Sequence, residues 1–182
     1  GANASALGSG DVTLNGGTLG MSSSSNNATI SAPWDLIVPA GATATFNPAW
    51  RSSLTGTLTG AGTLNYVLPS GSIRADLRGN WAGFSGRINA TTASGTADFR
   101  MALDYNWPGL PTAALSLGPG ISAYYSGILN TGNGTFVSIG ELSGTTTSTL
   151  RGGPTSGRQL TYRIGGRDSD ATFAGTLSEQ TG

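Results

Sequence analysis

The sequence predicts an all-β chain wound as a parallel β-helix, a stack of short strands that repeats about every 24 residues. Three observations predict it. Alternating runs of four to six residues, closed by Gly, Asn, Ser or Pro, recur along the chain, which is the pattern of strands and turns. No stretch sustains the i, i+3, i+4, i+7 spacing of an amphipathic helix. The runs also fall into two interleaved series with one shared period.

The first series is Ile73–Leu77, Ala97–Met101 and Ile121–Tyr125, followed by runs centred near Thr149 and Phe173. Its centres at 75, 99, 123, 149 and 173 are separated by steps of 24, 24, 26 and 24. The second series is centred at 13, 37, 65, 89, 116, 138 and 163, with steps of 24, 28, 24, 27, 22 and 25. An up-and-down barrel or a sandwich would also show short strands, but not a return of sequence character at every second or third one. Hairpin signals are thin, with Asn15-Gly16-Gly17 and Asn133-Gly134 the clear ones. Two or three strands per coil and about six to seven coils are implied, each rising roughly 4.8 Å.

Composition agrees. The 182 residues suit one domain, and 30 glycines, 24 threonines and 22 serines make up about two-fifths of them. Small residues suit tight turns and a narrow core. Hydrophobic residues at 37 % and regular in placement argue against disorder. With no histidine and no cysteine, a Ser-His-Asp triad, a thiol nucleophile and an ordinary zinc site are excluded. Nine arginines balance nine carboxylates, so bulk electrostatic binding of nucleic acid is not expected. No apolar run approaches the ~18 residues of a membrane-spanning helix. Neither a signal peptide nor a disulfide framework is visible, and the chain reads as a mature fragment of a larger protein.

Four segments carry a resemblance: Gly60–Leu64, Asn80–Ile88, Val137–Gly144 and Asp170–Leu177. They resemble the β-strand repeats of autotransporter passengers and of β-helical accessory modules in secreted bacterial polysaccharide-degrading proteins. The chain is most similar to the right-handed parallel β-helix carbohydrate-binding modules attached to xylanases, from about residue 54 to the C-terminus. The resemblance implies a right-handed helix, secretion, and a module cut from a multimodular enzyme. Its partners would be xylan or a related hemicellulose and an attached catalytic domain. Residues 1–50 are expected to form less regular coils or a cap. A monomer without cofactor or metal is expected.

Alternation sorts the first series into two faces. Ile73, Ala75, Leu77, Phe99, Met101, Ile121, Ala123 and Tyr125 should point inward. Arg74, Asp76, Asp98, Arg100, Ser122 and Tyr124 should point outward, with Arg78 just past a strand end. Stacked in register, the charged residues would form a mixed ladder on one flat face. That ladder reads two ways. It is either cross-strand salt bridging, each pair worth ~0.2–1 kcal/mol, or a rigid polar platform for sugar hydroxyls with Tyr124 as a stacking surface. Arginine would also fork onto the carboxylate of a uronic-acid branch.

The loop Asp104-Tyr105-Asn106-Trp107-Pro108-Gly109 follows directly. Asp104, Tyr105 and Trp107 offer it an acceptor and stacking faces. Trp81 and Phe84 read as packing over a coil, and Phe46, Phe99, Phe136 and Phe173 read as core. Trp50-Arg51 reads either as a flap packing the N-terminal coils, the favoured reading, or as standing beside the ladder face one coil earlier. Trp34 falls in the region before residue 50 that reads as a cap. Catalysis would need Asp76 and Asp98 as a carboxylate pair at ~5–9 Å. Neighbouring arginines work against a general acid, which needs a raised pKa. A non-catalytic carbohydrate-binding module is therefore the expectation. A structural stalk or adhesin segment and a β-helical lyase or hydrolase are the alternatives.

Overall fold

The computed structural model describes residues 7–8, 10–21, 30–48, 52–101, 109–125, 135–152 and 160–179. Three coils of three strands come first. They are β1 (Val12–Thr13), β2 (Thr18–Gly20) and β3 (Ile30–Ala32); β4 (Leu36–Val38), β5 (Thr43–Asn47) and β6 (Ser52–Leu54); and β7 (Leu58–Gly60), β8 (Thr63–Leu68) and β9 (Gly71–Leu77). Pairs of strands follow: β10 (Arg87–Thr92) with β11 (Ala97–Met101), and β12 (Gly109–Leu117) with β13 (Ile121–Tyr125). The last are β14 (Thr135–Gly144) with β15 (Thr149–Arg151), and β16 (Leu160–Ile164) with β17 (Thr176–Ser178). Among the described residues there is no helix.

Every strand pairs in parallel with the equivalent strand of a neighbouring coil. Among the described residues the result is two sheets of seven strands and a third of three, β1-β4-β7. Partners in register lie about one period apart: Thr63 opposite Arg87, Asp98 opposite Ser122. The fold is a parallel β-solenoid, as the period predicts.

The interior is a set of stacked columns. Ala44, Leu64, Ile88, Leu115 and Leu142 follow one another through five strands, all buried. The neighbouring column runs Phe46, Tyr66, Ala90, Leu117, where small Ala90 makes room beside Tyr66. Tyr66 is the hub of an aromatic cluster. Phe46 lies 5.6 Å from its ring, Phe99 5.4 Å and Trp81 6.2 Å, the last two edge-on. Burying each such side chain contributes about 1.5–3 kcal/mol. Trp81 and Phe84 are fully buried, so the glycine-punctuated turn that holds them is a packing device.

Three details differ from the sequence reading. The second series is not one column of strands. Its members at 13 and 37 belong to the three-stranded sheet, and those at 65, 89 and 116 to a seven-stranded one. Those at 138 and 163 continue Gly109–Leu110, ahead of a register shift within β12. The step of 28 marks the change of sheet, and that of 22 marks the register shift within β12. Next, the strand after Leu150 in the first series is centred on Leu177. Phe173 makes an isolated bridge to Gly144 instead and is partly buried. Finally, Phe136 is not core. Val137 and Ile139 occupy the inward positions of β14, which turns Phe136 outward with 44 % of its surface exposed.

Candidate functional site: a charged ladder on one sheet face

Register assembles the predicted ladder on the outer face of the sheet that contains β9, β11, β13 and β15. One row runs Asp76, Arg100, Tyr124, Arg151, and the next runs Arg74, Asp98, Ser122, Thr149. Arg74 is placed by its backbone alone. Of the residues that alternate with these, Leu77, Phe99, Ala123 and Leu150 turn into the core.

The ladder is bonded internally. Arg100 Nε faces Asp76 Oδ1 at 3.3 Å, and both side chains are only 9 % exposed. Arg151 reaches back across β13 to Asp98, with Nη2 3.0 Å from Oδ1. The Tyr124 hydroxyl donates to Asp98 Oδ2 at 3.3 Å. Its ring lies between two guanidinium groups, Arg151 at 4.3 Å and Arg100 at 5.8 Å. Burial, then the Asp98 carboxylate, push the Tyr124 phenol above its ordinary pKa of 10.0, so it stays a donor at neutral pH.

This geometry corrects one expectation. Tyr124 is buried, its ring already stacked under Arg151, so it is not an open stacking surface. What the ladder presents to solvent is the Asp98–Arg151 pair, which joins its two rows, each side chain about a quarter exposed. Arg78 is half-buried past the end of β9, and its N–H donates to the Leu54 carbonyl at 2.8 Å. Asp104, Tyr105, Trp107, Trp50 and Arg51 lie outside the described residues.

Arg151 is the member that sequence reasoning missed. The alternation Thr149-Leu150-Arg151 puts it on the outer face. Its place in the row, however, follows only from its pairing with Tyr124, at a longer offset than the strands before it keep. Tyr162 is a second such residue. It crosses the interior from β16, its hydroxyl donating to the Arg151 carbonyl at 2.6 Å and accepting the Tyr125 N–H at 3.3 Å. The strand that carries Arg151 is thereby tied to the opposite wall.

A second polar cluster surrounds Glu141, whose side chain is 9 % exposed. Arg87 Nη2 donates to Oε1 at 2.8 Å across the small Ala114 that separates them in register. Ser169 Oγ donates to Oε2 at 2.8 Å, and Arg167 Nε stands 3.8 Å from the same oxygen. Arg167 Nη1 also donates to the carbonyls of Ser85 at 2.7 Å and Gly86 at 3.1 Å. The cluster clasps turns of several coils at one corner.

The Ser169 hydroxyl bond, reinforced by both arginines against the opposing effect of burial, holds the Glu141 carboxyl below its ordinary 4.5. A carboxyl so depressed stabilises the fold fully above that ordinary value, and its contribution is lost as pH falls through the depressed one. Glu141→Gln is therefore expected to lower the urea midpoint near neutral pH. The gap to wild type should close as pH falls through the depressed carboxyl pKa, below the ordinary 4.5. Denaturation curves at several pH values check this, and a gap independent of pH contradicts it.

A third row, on the outer face of the other long sheet, is uncharged. Asn65 and Asn89 stand in register and Asn89 Nδ2 donates to Asn65 Oδ1 at 2.9 Å, with Ser116 and Ser143 continuing the row. Among the described residues no three potential metal ligands converge. No protein-family model, no curated protein and no solved structure matches the chain.

Proposed function

We propose that the chain is a non-catalytic carbohydrate-binding module. It holds plant cell-wall polysaccharide, xylan or a related hemicellulose, and directs an attached glycoside hydrolase to it outside the cell. The observation that carries this reading is the Asp98–Arg151 pair. An acceptor and a donor stand side by side at 3.0 Å, partly open to solvent, on a face that stacked strands make rigid. Adjacent hydroxyls of a sugar ring have matching needs: one donates to Asp98 while the next accepts from Arg151. Fixed partners lose little conformational freedom on binding, although each hydrogen bond replaces one to water and gains only ~1 kcal/mol net. The similarity of the turn segments to xylanase-borne modules supports the same reading.

Affinity electrophoresis against xylan, arabinoxylan, mixed-linkage glucan, cellulose and pectin tests it. Retardation by at least one hemicellulose is expected, and Arg151→Ala should weaken it several-fold while the far-ultraviolet spectrum is unchanged. Migration unaffected by every polymer overturns the reading. New reducing ends or absorbance of unsaturated uronides would replace it with an enzyme.

One observation favours a second reading, a structural stalk. Asp76 with Arg100, and Glu141 with Arg87 and Arg167, direct their charges at one another rather than at solvent. An inert spacer would bind none of the polymers and keep its full thermal stability.

A further inference from the structure

The aromatic side chains of the described residues are withdrawn from solvent, with one exception. Trp34, Trp81, Tyr124 and Tyr125 are buried, and Tyr162 and Phe173 are partly so, whereas Phe136 is 44 % exposed. Its surroundings are also distinctive. Alternation in β14 sends Val137 and Ile139 inward, leaving Phe136 and Ser138 outside. In β16 Tyr162 turns inward, and Thr161 and Arg163 are exposed. Register sets Phe136 opposite Thr161 and Ser138 opposite Arg163. Four outward side chains of two adjacent strands thus form one patch, on a different part of the surface from the charged ladder.

Within the patch the guanidinium carbon of Arg163 lies 3.7 Å from the centre of the Phe136 ring. That is van der Waals contact, and it holds the guanidinium in place while its in-plane N–H groups stay available. Arg87, Arg100, Arg151 and Arg167 each face a carboxylate. Among the described residues no carboxylate reaches Arg163 within 4.0 Å. An exposed guanidinium oriented by an aromatic ring and flanked by two hydroxyls is a set of donors suited to a carboxylate on a flat, hydroxylated ring. The carboxylate takes the guanidinium fork, the ring's C–H surface packs on the open part of Phe136, and Ser138 and Thr161 reach neighbouring hydroxyls.

We infer that Phe136, Ser138, Thr161 and Arg163 form a subsite for an acidic sugar unit, a uronate carried on the polysaccharide. The inference rests on the polysaccharide-binding reading and specifies the unit recognised. The test uses two preparations of one polymer, glucuronoxylan and glucuronoxylan whose carboxyl groups have been reduced to alcohols. Wild type should be retained about tenfold more strongly by the acidic form, the scale of a charge-assisted bidentate contact. Arg163→Gln and Phe136→Ala should each abolish that preference, bringing retention by the acidic polymer down to that by the reduced one. Phe136→Ala alters no charge, so bulk electrostatics does not account for its effect. Equal retention of wild type by the two forms, or a preference that survives both substitutions, overturns the subsite but not the module. Absence of retention by both forms and by every neutral polymer overturns the module and the subsite with it.

Discussion

Asp76→Leu is expected to cost the fold about 3–5 kcal/mol, the scale of breaking one member out of a buried ion pair. The substitution leaves Arg100, a buried residue 7 % exposed, with its facing carboxylate gone. Tyr124, 5.8 Å away, offers only a ring face in return. Removing the arginine as well reverses the sign of the argument. In Asp76→Leu/Arg100→Met both charges are gone, two apolar side chains of similar volume meet, and most of the lost stability should return. For a chain of this length each kcal/mol moves the melting temperature by about 2–4 °C, so the single variant should melt roughly 10 °C below wild type. Thermal or urea unfolding of the wild type, both single variants and the double variant closes the cycle. A single-variant loss under about 1 kcal/mol would mean that the pair does not hold this face together.

Gly86→Ala should be comparably damaging for a different reason. The corner between the short sheet and the first long sheet brings successive turns into backbone contact. A methyl group at Gly86 would overlap the Gly62 carbonyl oxygen, with Ala61 C at 2.9 Å and Phe84 Cζ at 2.6 Å. Two of these neighbours are backbone, and the third is a ring that is itself fully buried. Neither yields by changing rotamer, so the coils must separate, at a cost of about 3 kcal/mol or more. Gly20→Ala is the matched control. Among the described residues nothing lies within 4 Å of its Cβ position, and a change within about 0.5 kcal/mol is expected. Equal stability of the two variants would show that the corner has slack.

How far such features can be read from sequence depends on what the chain writes locally. The strands Ile73–Leu77, Ala97–Met101 and Ile121–Tyr125 are legible because one offset, that from Ala75 to Phe99 and again from Phe99 to Ala123, holds from coil to coil. A slip of one residue would also turn each apolar set outward. Their inward and outward faces follow from alternation, and the row Asp76, Arg100, Tyr124 follows from offset and alternation together. Phe136-Val137-Ser138-Ile139 shows the limit. Adjacent residues of a strand cannot both face inward, and hydrophobicity does not say that phenylalanine is the one left outside. The second series fails for a related reason. Alternation marks the two faces of a strand but carries no label for the sheet that the strand joins, so strands of different sheets fall into one column.

The sequence alone determined the all-β class, the coil period, the side of the strands Ala97–Met101 and Ile121–Tyr125 that builds the core, and the gathering of charge on one face. Those properties repeat along the chain, and repetition is what a sequence displays. The tertiary structure alone decided that Arg151 completes the row, that Arg87 and Arg167 close on Glu141, and that Phe136 meets Arg163 at the surface. Each of these contacts joins residues at least one full coil apart, and Arg151–Asp98 and Arg87–Glu141 span two. Small shifts of register set them: the offset from Ser122 to Thr149 is longer than that from Asp98 to Ser122. The residues gained in that turn leave the local pattern of the strand untouched, yet they choose which side chains become neighbours.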